Sequence, residues 1–318
     1  VWEMKATLPN AIVALHGPGV DLEETATQKG RRYEAVFNKL PAGTEFTYRI
    51  VNKGFGGLSH EVVAATPAKT PPPRGQSFRF AVLGDSGNGS HTQTELTTLL
   101  TAQKPDVVIH VGDLVYPAGA KEDYVTNFFE PNAALIRSVP FMPSLGNHVA
   151  TKHGAPFLEV FTLPRNGPPG IEPERNYYFD FGDAHFVALD SNPPDQEGVI
   201  TNQERNTVIA SWVKNTFSPC DAKWKFAYFH HPYYTNSEHS AEGSAFMKVA
   251  FRDVFEASGV DIVFCGHNHL YERSAPILKD QVVPDGKGIV YITCGAGGVS
   301  RYKEHLPLPP HMLKYNDS

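Results

Sequence analysis

Two apolar runs, Phe78–Leu83 and Val107–Val111, each end in Gly-Asp, and a helical pattern lies between them. Thr92-Gln93-Thr94-Glu95 reads as a capping box, with Leu96, Leu99 and Leu100 following at helical spacing. Pro105 bars further helix. Strand, helix, strand of this kind predicts an α/β domain. Polar side chains just beyond the carboxyl ends of such strands are where α/β proteins build their sites.

The same grammar recurs along the chain. After Asp85-Ser86-Gly87 and Gly112-Asp113-Leu114-Val115-Tyr116 come Gly146-Asn147-His148, His230-His231-Pro232 and Gly266-His267-Asn268-His269. Each block sets Asp, Asn, Tyr or His where an apolar, β-rich run meets a turn containing Gly or Pro. Seven such oxygen and nitrogen donors are what two adjacent metal ions require. Singly the blocks are weak, since Asp-x-Gly and Asn-His are also common turn sequences. The ordered combination carries the information.

Further strands are predicted at Tyr177–Phe181, His185–Leu189, Lys225–Phe229, Asp261–Cys265 and Gly288–Cys294. Helices are predicted at Gln203–Asn215 and Ala245–Ser258, the first burying Val208, Ile209, Trp212 and Val213. The Pro-rich segment Thr66–Gly75 reads as a linker. It divides a small β domain (1–66) from a catalytic domain (77–318), with the linker proper at 67–76. Before it, Arg32–Phe37, Glu45–Asn52 and Glu61–Ala65 read as short strands. Leu40–Ile50 resembles the turn and strand of a fibronectin-type sandwich, with Phe46 where that fold often has Tyr. About 70 residues is short for a sandwich of roughly 100, so a reduced or truncated domain is expected.

Net charge −6 and a pI near 6.2 argue against a nucleic-acid partner. No Lys/Arg run suggests a membrane surface, no apolar stretch reaches the roughly 18 residues of a spanning helix, and no signal peptide opens the sequence. Cys220, Cys265 and Cys294 match no zinc motif, and Cys265 and Cys294 read as buried free thiols.

From Phe78 to Ser300, with support from Tyr271-Glu272-Arg273-Ser274, the blocks resemble the calcineurin-like metallophosphoesterases and, through Tyr116, the purple acid phosphatases. The resemblance implies a β-sheet sandwich flanked by helices. It implies one metal held by Asp85, Asp113, Tyr116 and His269, and a second held by Asp113, Asn147, His230 and His267, with Asp113 bridging. His230 is preferred to His231 because it ends the apolar strand and fits His-x-Pro. His148 and His239 are the expected substrate-binding and proton-donating histidines, with Asn147 beside the substrate. Ser240 departs from the family, where a second His is common.

The implied activity is that of an acid phosphatase hydrolysing small phosphate monoesters to inorganic phosphate through Fe(III), a divalent ion and a metal-bound hydroxide. A phenol of pKa about 10 ionises at acidic pH only beside a strong Lewis acid, which favours Fe(III) at Tyr116. The amide, imidazole and carboxylate donors of the other site suit Zn, Fe(II) or Mn. A secreted or periplasmic location follows from the family. Alternatives are a phosphodiesterase or nucleotidase on the same scaffold, or a non-catalytic binding protein with a decayed site. Oligomeric state stays open.

Minor expectations are His91 at the pocket rim or facing solvent, and Arg273 pairing with a carboxylate beneath the site. Asn88-Gly89-Ser90 is formally a glycosylation acceptor but reads as a turn.

Overall fold

The computed structural model describes residues 1–4, 7–54, 59–192, 202–237, 244–303 and 307–316. Strands β1 (Trp2–Glu3), β2 (Ala11–Gly17), β3 (Val20–Thr25) and β4 (Thr27–Lys29) come first. They are followed by β5 (Arg32–Glu34), β6 (Glu45–Lys53) and β7 (Ser59–Lys69). All pair antiparallel, in sheets of order β3-β2-β6-β7 and β1-β5-β4. Val13, Leu15, Val20 and Ile50 form the core of this unit.

Two differences from the sequence reading have physical causes. Strand β3 buries only Val20 of its six residues, so no two-residue period announces it. Strand β7 runs on through Thr66–Lys69, which the sequence reading gives to the linker; Glu45 pairs with Lys69 and Thr47 with Pro67. Because β7 is an edge strand, Pro67 needs no ladder N–H there. The connecting segment therefore begins at Thr70. It is docked rather than loose: the Gly75 N–H donates to Asp183 Oδ1 at 3.0 Å and Arg74 pairs with Asp221 at 2.6 Å.

Strands β8 (Phe80–Leu83), β9 (Val107–His110) and β10 (Phe141–Pro143) form a parallel sheet of order β10-β9-β8. Helix α1 (His91–Ala102) links the first two. Its cap is Ser90, not Thr92: Ser90 Oγ accepts the Gln93 N–H at 3.2 Å, while Gln93 Oε1 takes the Gly89 N–H at 2.9 Å. The box is thus shifted back by two residues, which satisfies two donors at the helix start. His91 faces solvent beside Glu95, 3.3 Å away. Asn88 Oδ1 accepts the Ser90 N–H at 3.0 Å, the turn expected at that tripeptide.

Short helices α2 (Lys121–Tyr124), α3 (Ala133–Ile136) and α4 (Ala155–Val160) lie on either side of β10 in sequence. Then come β11 (Tyr177–Phe181), β12 (Ala184–Ala188), α5 (Asn202–Phe217), β13 (Trp224–Tyr228), α6 (Ser244–Ser258) and β14 (Ile262–Cys265). The chain ends with β15 (Tyr271–Ser274), the ribbon β16 (Ile277–Leu278) and β17 (Gln281–Val282), β18 (Val290–Cys294) and β19 (Met312–Asn316). The large sheet has the order β11-β12-β13-β14-β18-β15-β19, with β12, β13, β14 and β18 parallel.

These parallel strands are buried on both faces, and the two-residue period shows which face meets what. Phe186, Ala188, Phe226, Tyr228 and Phe264 point into the core shared with the smaller sheet. There the Phe80 ring of β8 meets Phe186, Phe226 and Phe264 at 5.4–5.9 Å. Val187, Ala227, Phe229 and Val263 point the other way, onto Ile209, Trp212, Val213 and Phe217 of α5 and Phe251 and Phe255 of α6. Of the expected α5 stripe, Val208 alone is only half buried. The result is a β-sheet sandwich flanked by helices. Cys265 is a buried free thiol, whereas Cys294 is only half buried.

Candidate metal centre

Strands β8, β9, β10, β13 and β14 are all parallel members of their sheets, so their carboxyl ends share one rim. Asp85, Asp113, Asn147, His230 and His267 follow these five ends in that order. The backbone leaves the strands abruptly. Asp85, Asp113 and His267 have φ of 57°, 50° and 67°, in the left-handed region, and Gly112 has φ 96°. Asp tolerates that conformation better than most residues because its short polar side chain bonds locally.

Two adjoining groups result. In the first, the Tyr116 hydroxyl stands 3.2 Å from Asp85 Oδ1, 3.1 Å from Asp113 Oδ2 and 3.3 Å from His269 Nε2. In the second, Asn147 Oδ1 lies 2.9 Å from His230 Nε2 and 2.8 Å from His267 Nδ1. Asp113 Oδ2 is also 3.2 Å from His230 Nε2, so this one carboxylate belongs to both groups. Asp85, Asp113 and His230 also stand together as a set with one donor atom each within 4.8 Å.

Outer contacts fix what faces inward. His230 Nδ1 donates to the Val111 carbonyl at 2.9 Å and His269 Nδ1 to that of Ser300 at 2.7 Å. With those nitrogens held by carbonyls, each ring has its Nε2 turned to the site, and loss of the Nε2 proton would leave the tautomer a metal-binding histidine needs. The remaining carboxylate oxygens are held too. Asp85 Oδ2 accepts the His267 N–H at 2.9 Å, and Asp113 Oδ1 accepts the His148 N–H at 2.9 Å.

The enclosed groups are acceptors that outnumber their protons, and the electrostatics agree. Burial pushes Asp85 up. Burial would do the same to Asp113, but the His230 ring outweighs it and holds that carboxyl well below the usual range. Burial disfavours the His230 cation, yet Asp113 and Asp85 outweigh it and lift the ring to about 9. Burial, then the charges of Asp85 and Asp113, push the Tyr116 phenol far up. The set draws in positive charge, and two carboxylates, a phenol, an amide oxygen and three imidazoles fit a pair of cations.

His148 adjoins the site. Its Nδ1 donates to the Pro117 carbonyl at 2.6 Å and its ring lies 4.4 Å from that of Tyr116. His231 faces elsewhere, with Nδ1 2.8 Å from Ser191 Oγ, so His230 is the member of the pair turned inward. His239 and Ser240 lie outside the described residues. Arg273 is exposed and does not support the site from beneath. Its neighbour Glu272 is buried instead, accepting from Thr235 Oγ1 and the Asn236 N–H at 2.6 Å each. The side chain alternation of β15 turns Glu272 inward and Arg273 out.

Sequence reasoning misses Ser191 and Tyr302. Ser191 Oγ accepts the N–H groups of His230 at 3.2 Å and His231 at 3.1 Å, clamping the turn after β13. Its position beyond β12, in Leu189-Asp190-Ser191, follows the strand-end grammar and was readable. Tyr302 stacks on His269 at 4.1 Å and 13°, and no pattern in its neighbourhood announces it.

Residues 78–271 match the calcineurin-like phosphoesterase family. Among curated relatives, purple acid phosphatase 18 of Arabidopsis thaliana is 28% identical over 302 residues, covering 88% of this chain and 62% of that protein. Phosphoenolpyruvate phosphatase of Allium cepa is 28% identical over 309 residues, covering 87% and 60% respectively. The chain thus spans about 60% of the length of these relatives. In structure, the purple acid phosphatase PPD1 from yellow lupin seeds superposes with a TM-score of 0.76 at 18% identity, covering 97% of this chain and 63% of that one. That likeness is one of fold.

Proposed function

The chain belongs to the calcineurin-like phosphoesterase family, and from that premise we propose that it is an acid phosphatase hydrolysing phosphate monoesters at a dinuclear Fe(III)–divalent centre. Asp85, Asp113, Tyr116 and His269 would hold the trivalent ion, and Asp113, Asn147, His230 and His267 would hold Zn, Fe(II) or Mn. The observation that carries the reading is the Tyr116 hydroxyl standing within 3.3 Å of Asp85, Asp113 and His269. A phenol so placed becomes a ligand by losing its proton.

A bound pair of cations would supply Lewis acidity to the phosphate ester and to a water. The protein orients them and manages protons. Asn147 serves both its metal and the substrate rim, and the Pro117 carbonyl fixes the ring of His148. That ring donates a proton to the departing alkoxide, with His239 assisting at the phosphate. The relative named for phosphoenolpyruvate, itself a phosphate monoester, supports monoester chemistry. We read residues 1–69 as a fibronectin-type-like unit beside the catalytic domain, and the location as secreted or periplasmic. Among the described residues, no helix is long and apolar enough to cross a membrane.

The decisive experiment is spectroscopic. Oxidised, iron-loaded protein should show a visible phenolate-to-iron absorption band that Tyr116→Phe abolishes while the fold persists. A colourless, fully iron-loaded protein, or an unchanged band in Tyr116→Phe, overturns the assignment. Comparing a monoester and a diester of one chromogenic alcohol then tests the reaction class.

A further inference from the structure

A second group of metal-ligating side chains lies away from the rim. Asp180 and His185 face each other across the β11–β12 hairpin, in direct register. Cys220 enters from the turn after α5, just ahead of β13, whose first residue Trp224 pairs with Ala184. One carboxylate oxygen, one ring nitrogen and the thiol sulfur of these three residues lie within 4.8 Å of one another.

A second observation points to a ligand. His185 is 4% exposed, wedged between the rings of Tyr178 at 5.3 Å and Phe217 at 5.4 Å. Its Nδ1 meets Asp180 Oδ1 at 2.6 Å, but its buried Nε2 has no hydrogen-bond partner among the described residues. A buried ring nitrogen left unmet loses its hydration without replacement, so a chain that keeps one calls for an explanation. The nearby cation, Arg74, is engaged by Asp221 at 2.6 Å and does not fill that need.

The geometry points to a binding site for a thiophilic divalent cation, Zn²⁺ being the fitting case, formed by Asp180, His185 and Cys220. Thiolate, imidazole and carboxylate are the three donor types that Zn²⁺ accepts together, and three protein ligands leave the fourth position to water. Bound there, the ion joins the hairpin to the turn before β13. The same hairpin and turn receive the connecting segment, through Asp183 with Gly75 and Asp221 with Arg74. The site is therefore a staple at the end of the large sheet opposite the dinuclear rim, and it does not depend on the reaction proposed above.

The test uses the full chain with its rim metals already in place. Titration with Zn²⁺ should add about one equivalent per chain, and Cys220→Ser and Asp180→Asn should each lose it while keeping phosphatase activity. Zn²⁺ should also protect Cys220 from a thiol-alkylating reagent, and Cd²⁺ should give an ultraviolet thiolate-to-metal band absent from Cys220→Ser. Equal metal uptake by wild type and both variants, or a Cys220 alkylation rate unmoved by Zn²⁺, overturns the proposal.

Discussion

Asn147 Oδ1 and His230 Nε2 meet at 2.9 Å across 83 residues of chain. The contact joins the end of β10, in the smaller sheet, to the end of β13, in the larger. It therefore exists only when the two sheets are stacked in register. Asn147→Ala should leave the stacked core intact and empty the divalent side of the pair. Losing a ligand should weaken that metal by more than the 10–100-fold typical of an outer-shell change. Metal analysis after dialysis against a buffered free-metal series measures this, with the near-ultraviolet circular dichroism unchanged.

Gly146→Ala should be more disruptive than its size suggests. A Cβ there would stand 2.2 Å from Asp113 Oδ1 and 2.3 Å from the Asp113 nitrogen, and neither neighbour is the end of a flexible chain. The shared carboxylate must shift, so both metals should be lost together. Inductively coupled plasma analysis should find parallel depletion of the two, unlike the one-sided loss in Asn147→Ala.

His148→Ala separates proton transfer from metal binding. The variant keeps the backbone N–H that bonds Asp113 and loses only the ring tethered to Pro117. Turnover should fall by roughly 10²–10⁴ with metal content unchanged, the usual size of general acid–base effects. Leaving-group dependence should steepen, and steady-state kinetics on aryl phosphates of graded phenol pKa will show it.

Acid stability should depend on His110. The ring is buried beside Ser86, whose Oγ is 2.9 Å from Nε2, and burial lowers its pKa from 6.5 to about 3. Between those values the unfolded chain binds a proton that the folded chain refuses, so stability rises with pH there and is flat above about 7. The slope from this one group is about 1.4 kcal/mol per pH unit. His110→Gln should flatten urea-denaturation midpoints between pH 4 and 6 relative to wild type, while changing them little at pH 8.

Arg205→Ala should destabilise the fold directly. Asp190 is buried, and although burial would raise its pKa, Arg205 and Arg175 at 3.3 and 3.0 Å hold the carboxyl low. Removing one partner of a buried pair costs about 3–5 kcal/mol, with Arg175 keeping this case near the lower end. The fall in the urea midpoint gives the figure directly.

Much of this was legible because the donors obey strand-end grammar. Asp85, Asp113, Asn147, His230 and His267 each follow a strand, and an apolar run closed by Gly or by His-x-Pro marks each place. His230 is preferred to His231 because it ends the apolar run and fits His-x-Pro, and its Nε2 stands beside Asn147 and Asp113. What failed has equally local causes. The cap slipped because Thr92 and Ser90 are both competent, and only the Gln93 side chain reaching Gly89 decides between them. Arg273 falls on the outward phase of β15 and Glu272 on the inward one, which no predicted strand there could show in advance. Tyr302 reaches His269 through a turn that no local pattern encodes.

The positive φ values at Asp85, Asp113 and His267 bear on anyone redesigning this centre for another ion. Valine, isoleucine or threonine at those points would be resisted by the main chain before any coordination chemistry came into play. Exchanges among aspartate, asparagine, histidine and glycine remain open. The repertoire for retuning the rim is thus narrowed by torsion, and screening libraries should be built inside it.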